Sequence, residues 1–377
     1  MIKANIVADS RTERGNRITT MVVTFPRFIL AELNTHRMMS RNSASSRAIP
    51  FEKMLKSVEE NPFIPIAWQK DHKGMQGTEY FTNADKITLD IGGSYAGGLT
   101  QNFEAEKLFK EEWIAASKSA IKEAERLHSL GLTKQLCNRL LEPFMWHTVI
   151  ITATEWENFF ALRCPQYGGD NLRSWKEYAS KGLENEDAVY KLTHNKGQAE
   201  IHMMALAEAM WDALNESTPK ELKAGDWHIP FGDSVDDKQL EDTVNFKSLN
   251  HDGTYAQAHK YNLENTLENC KALIQNRIKV ATARCARVSY TVVGEEGKPA
   301  NYENDIKLHD NLAKSGHWSP FEHCAKVMTE SEYYGHHATQ GDGNPFGSNN
   351  KEEFGVSGNF RGFIQYRKTF NNENITK

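Results

Sequence analysis

Residues 35–50 read THRMMSRNSASSRAIP, and they place Arg37, Arg41, Arg47, His36, four serines and Asn42 within sixteen positions. Guanidinium groups bind phosphate through paired hydrogen bonds, and hydroxyls with backbone amides complete such a cradle. The stretch therefore suits an anion. A solvated turn whose arginines pair with surface acids fits the same composition. Neither GxGxxG nor GxxxxGKS/T occurs, so two common phosphate loops are excluded. Two further features draw attention. Cys164 follows Arg163, and a neighbouring arginine lowers a thiol pKa; packing at a helix end is the simpler role. His336 and His337 are adjacent in a Gly-rich stretch with no third ligand, so no metal site is expected.

The elements that must position these residues follow from pattern. RITTMVVTF (17–25) is short and β-branched and reads as a strand. Pro26 suits the first turn of a helix over RFILAELNTHR. Residues 104–130 carry Leu108, Trp113, Ile114, Ile121 and Leu127 on one face, an amphipathic helix that Gly131 can end. Thr133 can cap a helix running to Pro143, and Thr152 or Thr154 one over TATEWENFFALR. Further helices are expected at 197–214, 263–287 and 303–316, the last ending at Gly316, with a strand or short helix at 360–370. Residues 51–103 read mostly as loops with short elements, 217–261 as a polar insertion, and 335–358 as a flexible loop.

Composition removes several classes. Lys and Arg number 45 against 50 Asp and Glu, a net charge of −5, so no general nucleic-acid or membrane surface is expected and the basic cluster is local. Five scattered cysteines without a CxxC pair predict a reducing compartment and no structural zinc. MIKANIVADS lacks the pattern of a signal peptide, and no apolar run is long enough to span a bilayer. A soluble protein of the cytoplasm is expected, the host's cytoplasm if the source is viral.

HRMMSRNSASSR resembles the signature of the flavin-dependent thymidylate synthases, keeping His36, Arg37, Ser40, Asn42, Ser45 and Arg47 at the family's spacing. Four more segments resemble the same family: Arg139 with Pro143, TATEWENFFALR with Asn158 and Arg163, GQAEIHMMALA (197–207), and the pair ARVSY (286–290) and SGHWSPFEH (315–323). That last pair stands at the family's N-terminus but near the C-terminus here, so the chain resembles a circularly rearranged member. Close native termini permit such a rearrangement. Thr35 replaces the signature's first Arg, Ser43 its Glu, and Glu32 a Gln. FIQYRK brings Gln365 and Arg367 near the C-terminus, where a permuted chain can return them to the site; an edge strand with exposed polar residues is the alternative.

The resemblance implies an α+β fold with a central antiparallel sheet flanked by helices, its motif order permuted. It implies one catalytic domain over 1–377, with insertions at 51–103, 164–196, 217–261 and 335–358. The implied reaction is C5 methylation of deoxyuridylate to thymidylate, with methylenetetrahydrofolate giving the carbon and FAD, reduced by NADPH, the hydride. Flavin carries the hard chemistry and the protein supplies position and electrostatics. Ser45, Arg47 and Arg139 are then nucleotide-binding, joined by Gln365 and Arg367, and Arg163 faces the pyrimidine oxygens. His36, Arg37, Ser40, Asn42, Asn158, Ser289, His317 and Ser319 are cofactor-binding. Arg163, Ser45 and His317 stand at the reaction itself, with Ser45 binding and not attacking, because no base stands beside it in the sequence. His317 can equally cap the helix that ends at Gly316. The Cys164 context does not match that of the unrelated cysteine-dependent thymidylate synthases. A homotetramer is implied, with Arg47 and Arg163 of one site on different chains. Deoxycytidylate as acceptor, or a 5-hydroxymethyl product, is the alternative on the same scaffold, with Glu157 a candidate partner for a cytosine amino group. A non-catalytic flavin- or nucleotide-binding protein is the alternative of another class.

Overall fold

Lys3–Thr12 (β1) and Arg17–Pro26 (β2) form an antiparallel hairpin. Its turn needs Gly15, at φ +87°. Side chains alternate along β2: Met21, Val23 and Phe25 enter one core, and Val22 enters another on the opposite face. The computed structural model describes residues 2–74, 77–90, 100–168, 172–181, 187–244, 247–249, 255–257, 267–290, 301–334 and 359–373.

After β2 the chain makes a 3-10 turn and a one-turn helix, Leu30–Leu33 (α1), much shorter than the helix expected through Arg37. Ser40–Ser43 is a strand (β3). Phe51–Glu60 (α2) follows, then the small pairs Trp68–Gln69 (β4) with Tyr80–Phe81 (β5) and Lys86–Asp90 (β6) with Thr100–Glu104 (β7). Ala105–Ser129 (α3) and Lys134–Leu140 (α4) precede Trp146–Ala153 (β8) and Glu157–Arg163 (α5). Trp175–Ser180 (α6), Ala188–Thr193 (α7) and Ile201–Glu216 (α8) come next. Then run Lys220–Leu222 (β9), Trp227–His228 (β10), Asp237–Val244 (α9), and the pair Lys247–Leu249 (β11) and Tyr255–Gln257 (β12). Leu267–Arg287 (α10), Tyr302–Ser315 (α11), Ala325–Val327 (β13) and Phe363–Gln365 (β14) complete the order.

The architecture is mixed α+β. The main sheet has strand order β3-β8-β2-β1-β9, antiparallel except where β9 runs parallel to β1. A second sheet, β10-β13-β14, is antiparallel. One face of the main sheet packs Met21, Val23, Phe25, Val149 and Ile151 against Phe159 and Phe160 of α5 and Met203, Leu206 and Met210 of α8. The other face packs Val22 and Ile150 against Cys285 and Val288, at the end of α10. α2, α3 and α4 share a separate core through Met54, Val58, Ala124 and Cys137.

Several sequence readings need correction. The helix expected over 152–163 begins only at Glu157, with Trp156 at its cap and no threonine cap bond, because Thr152 and Ala153 end β8. Thr133 stands at the N-cap of α4 without a side-chain bond. The short elements expected within 51–103 are α2 and four short strands. Within 217–261, β9 joins the main sheet and β10 the second one. The segment 360–370 holds both a strand and a 3-10 turn. The stretch 335–358, with His336 and His337, lies outside the described residues.

Candidate functional site

The donor-rich stretch is the edge of the main sheet. β3 pairs with β8 in the register Ser40↔Thr152, Asn42↔Ile150. Alternation turns Ser40 and Asn42 inward together, and both are buried. Ile150 across from Asn42 packs against the α10 side, and the C-terminal segments meet the strand there.

Asn42 is the hub. Its Nδ2 donates to the Cys285 carbonyl (2.7 Å), one of the acceptors that the end of α10 leaves without a helical partner. Its Oδ1 accepts from Ser289 Oγ (3.3 Å) and from Ser319 Oγ (3.2 Å). The Ser45 amide donates to the Ser289 carbonyl (3.2 Å). Three motifs that are 247 and 277 residues apart in sequence thus meet on one amide. Ser40 collects the C-terminal segment in the same way. Gln365 Nε2 and Asn359 Nδ2 both donate to its Oγ at 3.0 Å, and Gln365 Nε2 also donates to the Glu322 carbonyl (3.2 Å). Arg367 turns elsewhere and pairs with Glu322 (2.6 Å) and Glu373 (3.3 Å).

Arg163 reaches the same stretch from α5, on the opposite face of the sheet. Its Nε donates to His36 Nε2 (2.9 Å) and its Nη2 to Thr35 Oγ1 (3.4 Å), while Nη1 lies 3.6 Å from Glu32. An arginine N–H cannot accept, so His36 is the neutral tautomer with its proton on Nδ1. Burial, then the charges of Arg163 and Arg41, hold its pKa below the usual value. Phe159 meets the imidazole edge-on at 4.9 Å. Arg41 fixes the turn between, donating to the Leu33 and His36 carbonyls (3.0 and 2.9 Å). Burial and nearby Glu200 raise the Glu32 carboxyl, against the pull of Arg163.

A basic rim lies at the far end of the stretch. Buried Asn138 of α4 donates to the Ser46 and Ile49 carbonyls (2.7 and 3.1 Å), clamping Arg139, the next residue, to the turn that carries Arg47. Glu142 accepts from Ser46 Oγ (2.9 Å). Arg37, Arg47 and Arg139 are exposed, and none has a hydrogen-bond or ion-pair partner among the described residues. No histidine or carboxylate hydrogen-bonds Ser45 Oγ among the described residues. Asn158 is exposed on α5. The His317 amide closes the end of α11 through the Leu312 carbonyl (3.0 Å), after Gly316 at φ +72°, and its exposed ring accepts or donates at Ser315 Oγ (2.8 Å). The backbone of His317 thus has the capping role, and its imidazole is left at the surface.

Cys164 is buried in the main core, and burial pushes its thiol far up, against the opposing effect of Arg173, so it is a packing residue and no nucleophile. No group of three or more metal-ligating side chains occurs among the described residues. Glu157 is paired with Arg173 through two bonds (2.6 and 3.1 Å). Sequence reasoning missed Glu32 and Thr35 as neighbours of Arg163, although both were visible as departures from the signature. It also missed Asn359, for which the sequence holds no signal.

No protein-family model and no curated protein matches the chain. Among solved structures, a UMP/dUMP methylase PolB from Streptomyces cacaoi bound with 5-Br dUMP is similar at 14% identity and a TM-score of 0.36, over 57% of this chain and 90% of that one. The same methylase bound with 5-Br UMP is similar at 17% identity and 0.35, over 57% and 89%. A likeness of this size carries neither fold nor activity across.

Proposed function

We propose that this protein transfers a one-carbon unit to C5 of a pyrimidine deoxynucleotide monophosphate, as a circularly rearranged relative of the flavin-dependent thymidylate synthases. The observation that carries the reading is Asn42, which accepts from Ser289 and Ser319 together. Segments matched to one family by sequence meet in space here, which supports that family's arrangement despite the altered order. Gln365 at Ser40 adds to this, since the C-terminal segment returns to the stretch whose residues differ from the family's.

The exposed imidazole of His317 and the exposed guanidinium of Arg37 would serve the polar atoms and pyrophosphate of a flavin, and the Ser289 and Ser319 oxygens, whose protons go to Asn42, would be left to accept from it. Bound and reduced by NADPH, FAD supplies hydride, and methylenetetrahydrofolate the carbon. His36, Ser40, Asn42 and Asn158 position that surface. Ser45, Arg47 and Arg139 hold the nucleotide phosphate and sugar at the rim. Arg163, held by His36, offers its remaining N–H groups to the pyrimidine, where a fixed cation stabilises charge on the ring oxygen as C5 becomes nucleophilic. Ser45 binds through hydrogen bonds. Arg367, paired with Glu322 and Glu373, orders the C-terminal segment that delivers Gln365. A homotetramer completes the site, with Arg47 and Arg163 from different subunits. No helix among the described residues is long and apolar enough to cross a membrane, and the cytoplasm is the proposed location.

FAD binding tests the cradle. The full chain is expected to retain FAD through desalting. Asn42→Ala, with its fold checked by circular dichroism, is expected to bind it about tenfold more weakly, because Ser289 and Ser319 lose their shared acceptor. A wild-type chain that retains no FAD contradicts the proposal.

A further inference from the structure

The geometry points to Glu32 as the residue that selects the base, favouring cytosine over uracil; this rests on the reading of Arg163 as the group that faces the pyrimidine. Glu32 Oε2 lies 3.6 Å from Arg163 Nη1, and the two side chains are 39% and 23% exposed, so both reach the same open surface. Arg163 has five N–H groups, of which Nε is taken by His36 and one on Nη2 by Thr35. The Glu32 carboxylate takes no hydrogen bond among the described residues. Neighbouring carboxylates are occupied. Glu200 accepts from the His202 and Met203 amides (2.8 and 3.1 Å) and meets His202 Nδ1 (2.6 Å), and Glu157 is bound to Arg173.

Three N–H groups of Arg163 remain, two on Nη1 and one on Nη2; with one Nη1 hydrogen turned to the Glu32 carboxylate at 3.6 Å, two donors stand beside one acceptor, in the order donor, donor, acceptor if all three meet one base edge. Cytosine presents the complement along its pairing edge, with O2 and N3 as acceptors and the N4 amino group as donor. Carboxylates are the usual acceptors for that amino group. Uracil presents acceptor, donor, acceptor. It can set N3–H against Glu32 only by bringing a carbonyl oxygen beside the carboxylate, acceptor against acceptor. A glutamine at this position can rotate its amide to offer a donor, which suits uracil. Glu32 stands where the resembling family has a glutamine, so Glu32→Gln reads out its effect on base preference, with Thr35 meeting Nη2 at 3.4 Å.

The test is equilibrium binding of dCMP and of dUMP to the full chain with FAD present, by titration calorimetry, for wild type and Glu32→Gln. Wild type is expected to bind dCMP roughly 10- to 100-fold more tightly than dUMP, and Glu32→Gln to erase or reverse that ratio. Wild-type preference for dUMP overturns the inference and leaves the proposed function standing. An unchanged ratio in Glu32→Gln also overturns it. Binding of neither nucleotide overturns both. The wild-type ratio decides even if the variant fails to fold.

Discussion

In the proposed function Arg163 is the residue that faces the pyrimidine, and its neighbours say why a lysine would not replace it. His36 takes Nε and Thr35 takes Nη2, a planar arrangement that only a guanidinium supplies. Arg163→Lys and Arg163→Ala are both expected to lower kcat by about 100- to 1000-fold, the usual effect of losing a group that stabilises developing charge. Full turnover in either variant defeats the assignment. The role proposed for this residue comes from its register with Asn158 in the helix that resembles the family's. Its coupling to Glu32 and Thr35 was not, because a departure from a motif shows a change without showing what the new side chain touches.

At the scale of elements, α4 and α5 act as arms that carry single residues to the edge strand. Phe159, 2% exposed, anchors α5 in the main core and packs on His36. Phe159→Ala is expected to cost about 3–5 kcal/mol in urea unfolding, since a buried ring leaves a cavity. Asn138, wholly buried, anchors α4. Asn138→Ala leaves the Ser46 and Ile49 carbonyls without this donor, at a cost of about 1–3 kcal/mol. It is also expected to raise KM for the nucleotide more than it lowers kcat, because Arg139 and Arg47 move apart while Arg163 stays; a kcat effect alone contradicts this rim. The long amphipathic helices were readable from periodicity, and β2 from its short β-branched run. β8 is buried on both faces as β2 is and carries a β-branched run of its own, TVIITA, but its last residues, Thr152 and Ala153, were read as the start of the following helix. β3 was hidden for another reason: SRNS is polar throughout, and its pairing with β8 is set by tertiary contact.

For the whole molecule, a buried polar chain crosses the main sheet beneath the site. Ser10 meets His228 (2.9 Å), His228 meets Thr20 (2.8 Å), Thr20 meets Thr152 (2.7 Å), and Thr152 meets His323 (2.8 Å). Burial holds His228 and His323 near pKa 3, and His147 likewise. These histidines stay neutral in the fold but take up protons once unfolded. Their contribution to stability is therefore complete above the unfolded value of about 6.5 and is lost as pH falls toward 3, by about 1.4 kcal/mol per unit for each. Glu208, raised by burial to about 7, acts with the opposite sign between its unfolded value near 4.5 and that pH, and offsets one histidine there. The midpoint of urea unfolding is thus expected to drop steeply between pH 6 and 4; a flat profile contradicts the neutral chain.

The most direct measurement is the mass of the nucleotide product. The purified protein is incubated with FAD, NADPH, methylenetetrahydrofolate and either deoxycytidylate or deoxyuridylate, with a flavin-free control. The account predicts a flavin-dependent gain on a pyrimidine nucleotide of one methylene, or of methylene plus oxygen if the product is hydroxymethylated. No gain on either nucleotide, with FAD bound throughout, contradicts it and leaves a flavin-binding protein without this activity.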